Sequence, residues 1–132
     1  MSLSIVPLES KYFEFVRELR NDPRVKVGFI SQEEISVQAH IEYMNEFASS
    51  YYICLRDNKA VGYFGIIDND IRLATLPDEM NTGVGKFMVD FIVANYPGAF
   101  AKVKFSNVAS RKLFEKCGFT VEYFIYTRKQ DD

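Results

Sequence analysis

The strongest constraint in the sequence is the segment 73–87, where a short apolar strand ends at Pro77 and a two-glycine turn leads into an amphipathic helix. Backbone N–H groups in a first helical turn lack intrahelical acceptors, and the helix dipole adds positive potential, so phosphate groups bind there. Gly83 and Gly85 have no Cβ to keep a ligand away, and Lys86 adds a positive charge. The segment predicts an anion site, although two glycines can also simply permit a tight turn or close helix packing.

Two familiar nucleotide motifs are excluded at this turn. No glycine precedes Gly85-Lys86 at P-loop spacing, and Phe87 stands where Ser or Thr would bind magnesium. Met88 occupies the third glycine position of the dinucleotide fingerprint.

Length and charge limit the remaining functions. The 132 residues are expected to form one domain, residues 1–132. A formal net charge of −2, from 16 basic and 18 acidic residues, favours neither nucleic acid nor an anionic membrane, so an anion site has to be local. The sequence lacks a run of apolar residues long enough to span a membrane and an N-terminal export signal, which predicts a cytoplasmic location.

Metal and disulfide chemistry are not expected. Cys54 lies in a strand-like run and Cys117 near the end of a predicted helix, without CxxC spacing. Both are predicted to be buried free thiols, and no metal site is predicted.

The order of predicted elements indicates an α/β (α+β) fold with a mixed, mostly antiparallel central sheet flanked by helices. Ser31 is the predicted N-cap of the second helix, supported by Glu34. Gly62 and Gly65 predict a bulge or a close approach. Periodicity and turn residues predict strands over 5–8, 50–56, 60–67, 71–76, 99–105 and 119–128, and helices over 11–20, 32–48, 84–95 and 107–116.

This order, together with two local patterns, resembles the GCN5-related N-acetyltransferase (GNAT) superfamily over nearly the whole chain. Residues 77–85, Pro-Asp-Glu-Met-Asn-Thr-Gly-Val-Gly, are similar to the family's acetyl-CoA motif, although Met80 replaces the leading Arg or Gln. Residues 107–119 resemble the family's Asn followed by a short helix that ends in Lys-x-Gly-Phe. The resemblance implies the GNAT acyl-CoA N-acyltransferase fold and acetyl-CoA as cofactor.

The resemblance also assigns the cofactor contacts. Backbone groups of Leu73, Ala74 and Thr75 would pair with the pantetheine arm. Asn107 would hydrogen-bond that arm, although its residue type is also that of an N-cap, and both roles can hold together. Phe114 would contact the cofactor where many members have Tyr. The pyrophosphate would be held by Asn81, Thr82, Gly83, Val84, Gly85 and Lys86.

Acetyl transfer to an amine needs a neutral nucleophile, a polarised thioester carbonyl and a proton for the thiolate. The Thr75 backbone N–H is the candidate oxyanion donor. Asp70 is the candidate base by resemblance, or else a turn-forming residue. Phe114 cannot donate a proton, so either water or Tyr126 or Tyr123 would do so, unless these tyrosines only pack.

The first two helices supply the acceptor candidates. Their sequence is similar to the ribosomal-protein N-terminal and nucleotide-amino-sugar acetyltransferase branches of the superfamily. By that resemblance, Arg20, Asn21, Arg24 and His40 would line the acceptor pocket. The alternatives are a structural histidine at His40 and a solvated loop charge at Arg24.

The predicted function is therefore acetyl-CoA-dependent N-acetylation of a small-molecule primary amine, such as an amino sugar, by direct transfer. A protein N-terminal acetyltransferase and a non-catalytic acyl-CoA-binding module remain alternatives. No nucleic-acid or membrane partner is expected, and the oligomeric state, including a homodimer, is left open.

Overall fold

The structure is a computed structural model that describes residues 2–29 and 35–128. A four-stranded sheet lies between two groups of helices. The strands are β1 (Leu3–Pro7), β2 (Tyr51–Arg56), β3 (Lys59–Ile67) and β4 (Asp70–Thr75). The helices are α1 (Phe13–Asn21), α2 (Pro23–Lys26), α3 (Val37–Phe47), α4 (Val84–Asn95) and α5 (Val108–Lys116).

The four strands pair in chain order, and every pair is antiparallel. Two-residue turns at Asp57-Asn58 and Asp68-Asn69 connect β2, β3 and β4, and all four turn residues have positive φ. Asp and Asn tolerate that conformation better than other side chains, which is why these dipeptides favour tight hairpins. The strands predicted over 50–56, 60–67 and 71–76 are confirmed and form an antiparallel meander.

Side chains on the two faces of the sheet enter two separate hydrophobic cores. Tyr63 packs with Val16 of α1 and Met44 of α3, whereas the next residue, Phe64, packs with Met88 and Ile92 of α4. Alternation of side chains along a strand explains this division. The sheet thus holds α1 and α3 on one face and α4 and α5 on the other.

Both strand glycines permit the close approach that the sequence predicts. A Cβ on Gly62 would lie 2.9 Å from the Ala74 carbonyl oxygen, and one on Gly65 would lie 2.6 Å from the Tyr51 ring. The register between β2 and β3 also shifts between Cys54 and Leu55, opposite this region. A Cβ on Gly62 would also lie 3.0 Å from the Met88 side chain, so its absence lets α4 approach the sheet next to β4.

Two predicted strands are not formed. Residues 119–128 have no strand pairing with the described part of the chain, because no neighbouring strand satisfies their backbone groups. In the predicted strand 99–105, only Phe100 pairs, through an isolated parallel bridge to Asp70. Among the described residues, only this one bridge therefore makes parallel pairing after α4, where the strand predicted over 99–105 would have paired with β4.

Two helix starts differ from the sequence prediction. Helix α3 begins at Val37, where the Ser36 hydroxyl accepts a hydrogen bond from the Ala39 N–H at 3.2 Å. The predicted cap at Ser31 lies outside the described residues. The helix predicted over 11–20 ends at Asn21, and Asp22 caps a further short helix, α2, because Pro23 fits the first helical position.

The thiols are free in the structure. Cys54 is buried, and burial raises the pKa of its thiol to about 11. Cys117 is half-buried rather than buried. Within residues 2–29 and 35–128, no cluster of three or more His, Cys, Asp or Glu side chains could hold a metal, and no helix is long and apolar enough to cross a membrane.

Candidate active site

A cavity of about 520 Å³ opens where β4, the glycine turn, α5 and the loop around α2 meet. It contains most of the cofactor residues that the sequence predicts. The lining residues are Arg24, Val25, Val27, Gly28, Phe29, Leu73, Ala74, Thr75, Met80, Asn81, Gly83, Gly85, Lys86, Asn107, Ala109, Ser110, Lys112, Leu113 and Lys116.

One edge of β4 is open along the cavity. At the start of the strand, the Ile71 N–H donates to the Phe100 carbonyl oxygen at 2.9 Å, on the side away from β3. After Phe100 the chain diverges, and no described strand pairs with β4 beyond this point on that side. The edge is therefore available to an extended ligand.

The hydrogen-bonding pattern between β3 and β4 determines which backbone groups of β4 face this edge. Antiparallel strands point alternate residues toward and away from a given neighbour. Because the Ile71 N–H points away from β3, those of Leu73 and Thr75 do so as well. Ala74 lies opposite Tyr63 and directs its backbone toward β3 instead. Leu73 and Thr75 thus have backbone N–H groups that point to the open edge. Ala74, the third predicted pantetheine contact, lines the cavity, but its backbone groups face β3.

The glycine turn forms the next wall. Gly83 is the N-cap of α4 with φ +96°, and Asn81 has φ +65°. Such left-handed positions are accessible to Gly and tolerated by Asn. A Cβ on Gly83 would meet nothing within 4 Å, whereas one on Gly85 would lie 3.0 Å from Leu113 of α5. Gly85 thus also serves helix packing, the alternative that the sequence left open.

An ion pair that the sequence did not reveal fixes this turn. Arg56, at the end of β2, lies 3.3 Å from Glu79 (Nε to Oε1) and donates through Nη2 to the Thr82 hydroxyl oxygen at 3.1 Å. The Thr82 hydroxyl in turn donates to the Glu79 carbonyl oxygen at 2.6 Å. Both charged side chains are mostly buried, so the turn is held in place before any ligand binds.

The lining is cationic. It contains Arg24, Lys86, Lys112 and Lys116, and among the described residues no Asp or Glu lines it. Lys86 bonds to Asp90 at 2.6 Å, and Arg24 pairs with Asp22 at 3.0 Å. This local excess of positive charge, in a chain with net charge −2, is suited to a polyanionic ligand.

The loop after α2 covers the cavity and contacts the start of α5. Asn107 Nδ2 donates to the Gly28 carbonyl oxygen at 3.4 Å, and Lys104 Nζ donates to the Val27 carbonyl oxygen at 3.1 Å. The other side-chain atom of Asn107, Oδ1, accepts from the Ser110 N–H at 3.2 Å. The predicted N-cap is confirmed, and the Asn107 amide is shared between the helix and the loop.

The candidate base lies outside the cavity lining. Asp70 Oδ2 is 3.4 Å from Arg72 Nε and 3.6 Å from Lys102 Nζ. These two cations hold the carboxylate at the end of β4 opposite to the glycine turn. Its role as base stays a prediction.

Of the four acceptor candidates, only Arg24 lines the cavity. His40 is 1% exposed and lies 2.7 Å from the Phe13 carbonyl oxygen through Nε2, and burial lowers its pKa. The structure thus places it in the packing position that was the alternative. Arg20 lies over the Tyr43 ring at 5.3 Å, and Asn21 bonds to the Ile35 backbone through both amide atoms at 2.8 Å.

The remaining predicted residues also lie outside the lining. Val84 is fully buried, and Phe114 packs edge-on against Phe119 in the core. Tyr123 and Tyr126, the candidate acids, are 79% and 90% exposed on the segment that forms no strand.

Two groups of lining residues were missed from the sequence. One lies at the end of α2 and in the loop after it, where the position of Val25, Val27, Gly28 and Phe29 depends on tertiary contacts. The other is the pair Lys112 and Lys116, whose i, i+4 spacing on the helix that follows Asn107 is a signal that could have identified them.

Three solved structures share the fold. A spermidine N-acetyltransferase from Vibrio cholerae, in complex with CoA and spermine, has a TM-score of 0.78 and 16% identity over 96% of this chain and 89% of that chain. The protein yncA from Salmonella typhimurium, with its cofactor acetyl-CoA, has a TM-score of 0.74 and 15% identity over 93% and 82%. AAC(6')-Iy, bound to a bisubstrate analogue of CoA and acetylneamine, has a TM-score of 0.69 and 19% identity over 99% and 100%.

Among curated proteins, no sequence matches this chain. The Acetyltransferase (GNAT) family matches residues 13–119, which include the glycine turn, the open edge of β4 and Asn107. The chain therefore belongs to the Acetyltransferase (GNAT) family, as an N-acetyltransferase with acetyl-CoA as its cosubstrate.

Proposed function

We infer that the protein transfers the acetyl group of acetyl-CoA directly to the primary amine of a small molecule, such as an amino sugar. The observation that carries this proposal is the meeting of the open β4 edge, the glycine turn and four cationic side chains in one cavity. An extended arm that ends in a pyrophosphate matches these three features in order. The first helices are similar in sequence to two branches of the family, and the nucleotide-amino-sugar acetyltransferases among them motivate the amino-sugar acceptor.

In this proposal, the N–H groups of Leu73 and Thr75 bind the pantetheine arm, and the one at Thr75 donates to the thioester oxygen as negative charge develops on it. The turn over residues 81–86 binds the pyrophosphate through backbone amides. Lys86, Lys112 and Lys116 add charge beside it. Met80 in place of Arg or Gln leaves these backbone contacts intact.

The acceptor amine would enter on the side of α2 and the loop that follows it, residues 24–29. No Asp, Glu, His or Tyr side chain among the described residues lines the cavity, so the amine would release its proton to water, and the CoA thiolate that leaves would take a proton from water. Two of the solved relatives act on or bind small amines, a polyamine and an aminoglycoside derivative, which supports the size class of the acceptor.

Calorimetric titration with acetyl-CoA tests the cofactor site. Gly83→Glu is expected to abolish binding, because it places a negative side chain in the pyrophosphate site. Gly118→Glu is the matched control, since Gly118 has φ +93°, an equally open Cβ position and no place in the lining. Equal losses of binding in both variants would contradict the site.

Turnover then identifies the acceptor class. Release of free thiol is followed with an amino sugar, a polyamine and a peptide with a free N-terminus, and the proposal expects the amino sugar to react fastest. A preference for the peptide would instead support the N-terminal acetyltransferase. Tight acetyl-CoA binding without turnover on any amine would support the non-catalytic module.

A further inference from the structure

The segment 119–128 contains the largest group of exposed apolar side chains in the described residues. Phe119 packs on Phe114 at the end of α5, and the chain then leaves the core. In the described residues, no backbone hydrogen bond is made by residues 120–128. The side chains of Val121, Tyr123, Phe124, Ile125 and Tyr126 are 64% to 90% exposed.

The composition of this segment is that of a strand. Every residue from 119 to 128 is Phe, Thr, Val, Tyr or Ile, except Glu122 and Arg128. The ring centroids of Phe124 and Tyr126 are 6.5 Å apart, because residues two apart lie on one face of an extended chain. A strand of this kind without a neighbour is a template for pairing with another chain.

We propose that residues 119–128 pair antiparallel with the same segment of a second copy of the chain, about a two-fold axis at Ile125. The two charged residues select this partner and this register. Centred on Ile125, the pairing places Glu122 of each copy opposite Arg128 of the other, so two complementary charge pairs form at once.

The same register pairs the aromatic side chains. Phe124 lies opposite Tyr126 of the second copy on the face that carries the charge pairs. Tyr123 lies opposite Thr127 on the other face, with Ile125 opposite itself. Aromatic and β-branched cross-strand pairs stabilise antiparallel strands, and pairing satisfies the open backbone groups of both copies. The interface is separate from the cavity, so it does not depend on the acetyl acceptor.

Sedimentation tests the charge pairs. As the protein concentration is raised to about 100 μM, the wild type is expected to shift from monomer to dimer. Glu122→Arg and Arg128→Glu each bring like charges together twice, which is expected to weaken the dimer about tenfold. The double variant Glu122→Arg/Arg128→Glu restores opposite charges and should dimerise like wild type. Glu46→Arg, an exposed reversal on α3, is the control and should have no effect.

Cross-linking tests the register. In a Cys117→Ser background, Ile125→Cys places two thiols opposite each other at the axis, within the Cα separation that a disulfide requires. Oxidation by diamide should therefore yield a covalent dimer. Tyr123→Cys is the control, because its two copies would be about 13 Å apart along the strands. A monomer at all concentrations, single reversals without effect, or equal cross-linking by both cysteines would overturn the proposal.

Discussion

Asn107 Nδ2 donates a hydrogen bond to the carbonyl oxygen of Gly28 at 3.4 Å, across 79 residues of sequence. This contact joins the start of α5, which forms one wall of the cavity, to the loop that covers it. A Cβ on Gly28 would lie 2.5 Å from the same nitrogen. The width of the cavity between α5 and the loop therefore depends on the absence of a side chain at Gly28.

Gly28→Ala should weaken acetyl-CoA binding by about tenfold, because the loop or Asn107 has to move to relieve the clash. Calorimetric titration measures the loss. Gly98→Ala is the control, because its Cβ would make ordinary contact with Asn69 at 3.5 Å. Unchanged affinity in Gly28→Ala would show that the loop does not border the bound cofactor.

Reversing charge at Lys112 and Lys116 should weaken acetyl-CoA binding by about tenfold at each position, more at low salt than at high salt. Both side chains line the cavity, and no ion pair with another described residue engages them. Titrations of Lys112→Glu and Lys116→Glu at two salt concentrations check this. The exposed Lys59 lies outside the lining, so Lys59→Glu should bind like wild type.

Asp70→Asn is expected to leave the pH dependence of kcat/KM unchanged. The carboxylate is held by Arg72 and Lys102 outside the cavity lining, and loss of these partly exposed pairs should cost no more than about 1 kcal/mol of unfolding free energy. The rate should rise with pH toward the pKa of the amine in both proteins. If Asp70→Asn instead changes the pH profile of kcat/KM, Asp70 is the base.

The free energy of unfolding should decrease as pH falls below about 6.5, the ordinary pKa of histidine. Burial lowers the pKa of His40 in the folded chain, so between the two pKa values the unfolded chain binds a proton that the folded chain does not. The contribution of His40 to the free energy of unfolding is lost completely below its pKa in the folded chain. Above about pH 6.5 this contribution is constant.

Urea unfolding between about pH 5 and 7.5 measures this effect, above the range where most carboxyl groups titrate. His40 is the only histidine of the chain, so His40→Gln should remove the dependence in this window. Gln keeps an N–H donor for the Phe13 carbonyl oxygen without a titratable group. A variant with the same slope as wild type would assign the effect to another group.

Local signals were sufficient for the glycine turn, the meander and the cap at Asn107. Each depends on residues close in sequence: turn dipeptides with positive φ, a side chain that caps the helix three residues later, and helical spacing of apolar positions. The family patterns at 77–85 and 107–119 lie in the same segments, which is why the cofactor half of the site could be located before the structure was known.

Tertiary structure alone decided which candidates share the cavity. His40 lies beside an apolar stripe, and only the packing of α3 on α1 shows that it is buried against Phe13 rather than open to a ligand. The phase of β4 on β3 separates Leu73 and Thr75 from Ala74, a distinction that strand composition does not contain. Residues 119–128 have the sequence of a strand but no neighbour among the described residues, because a strand forms only where a second one accepts its hydrogen bonds.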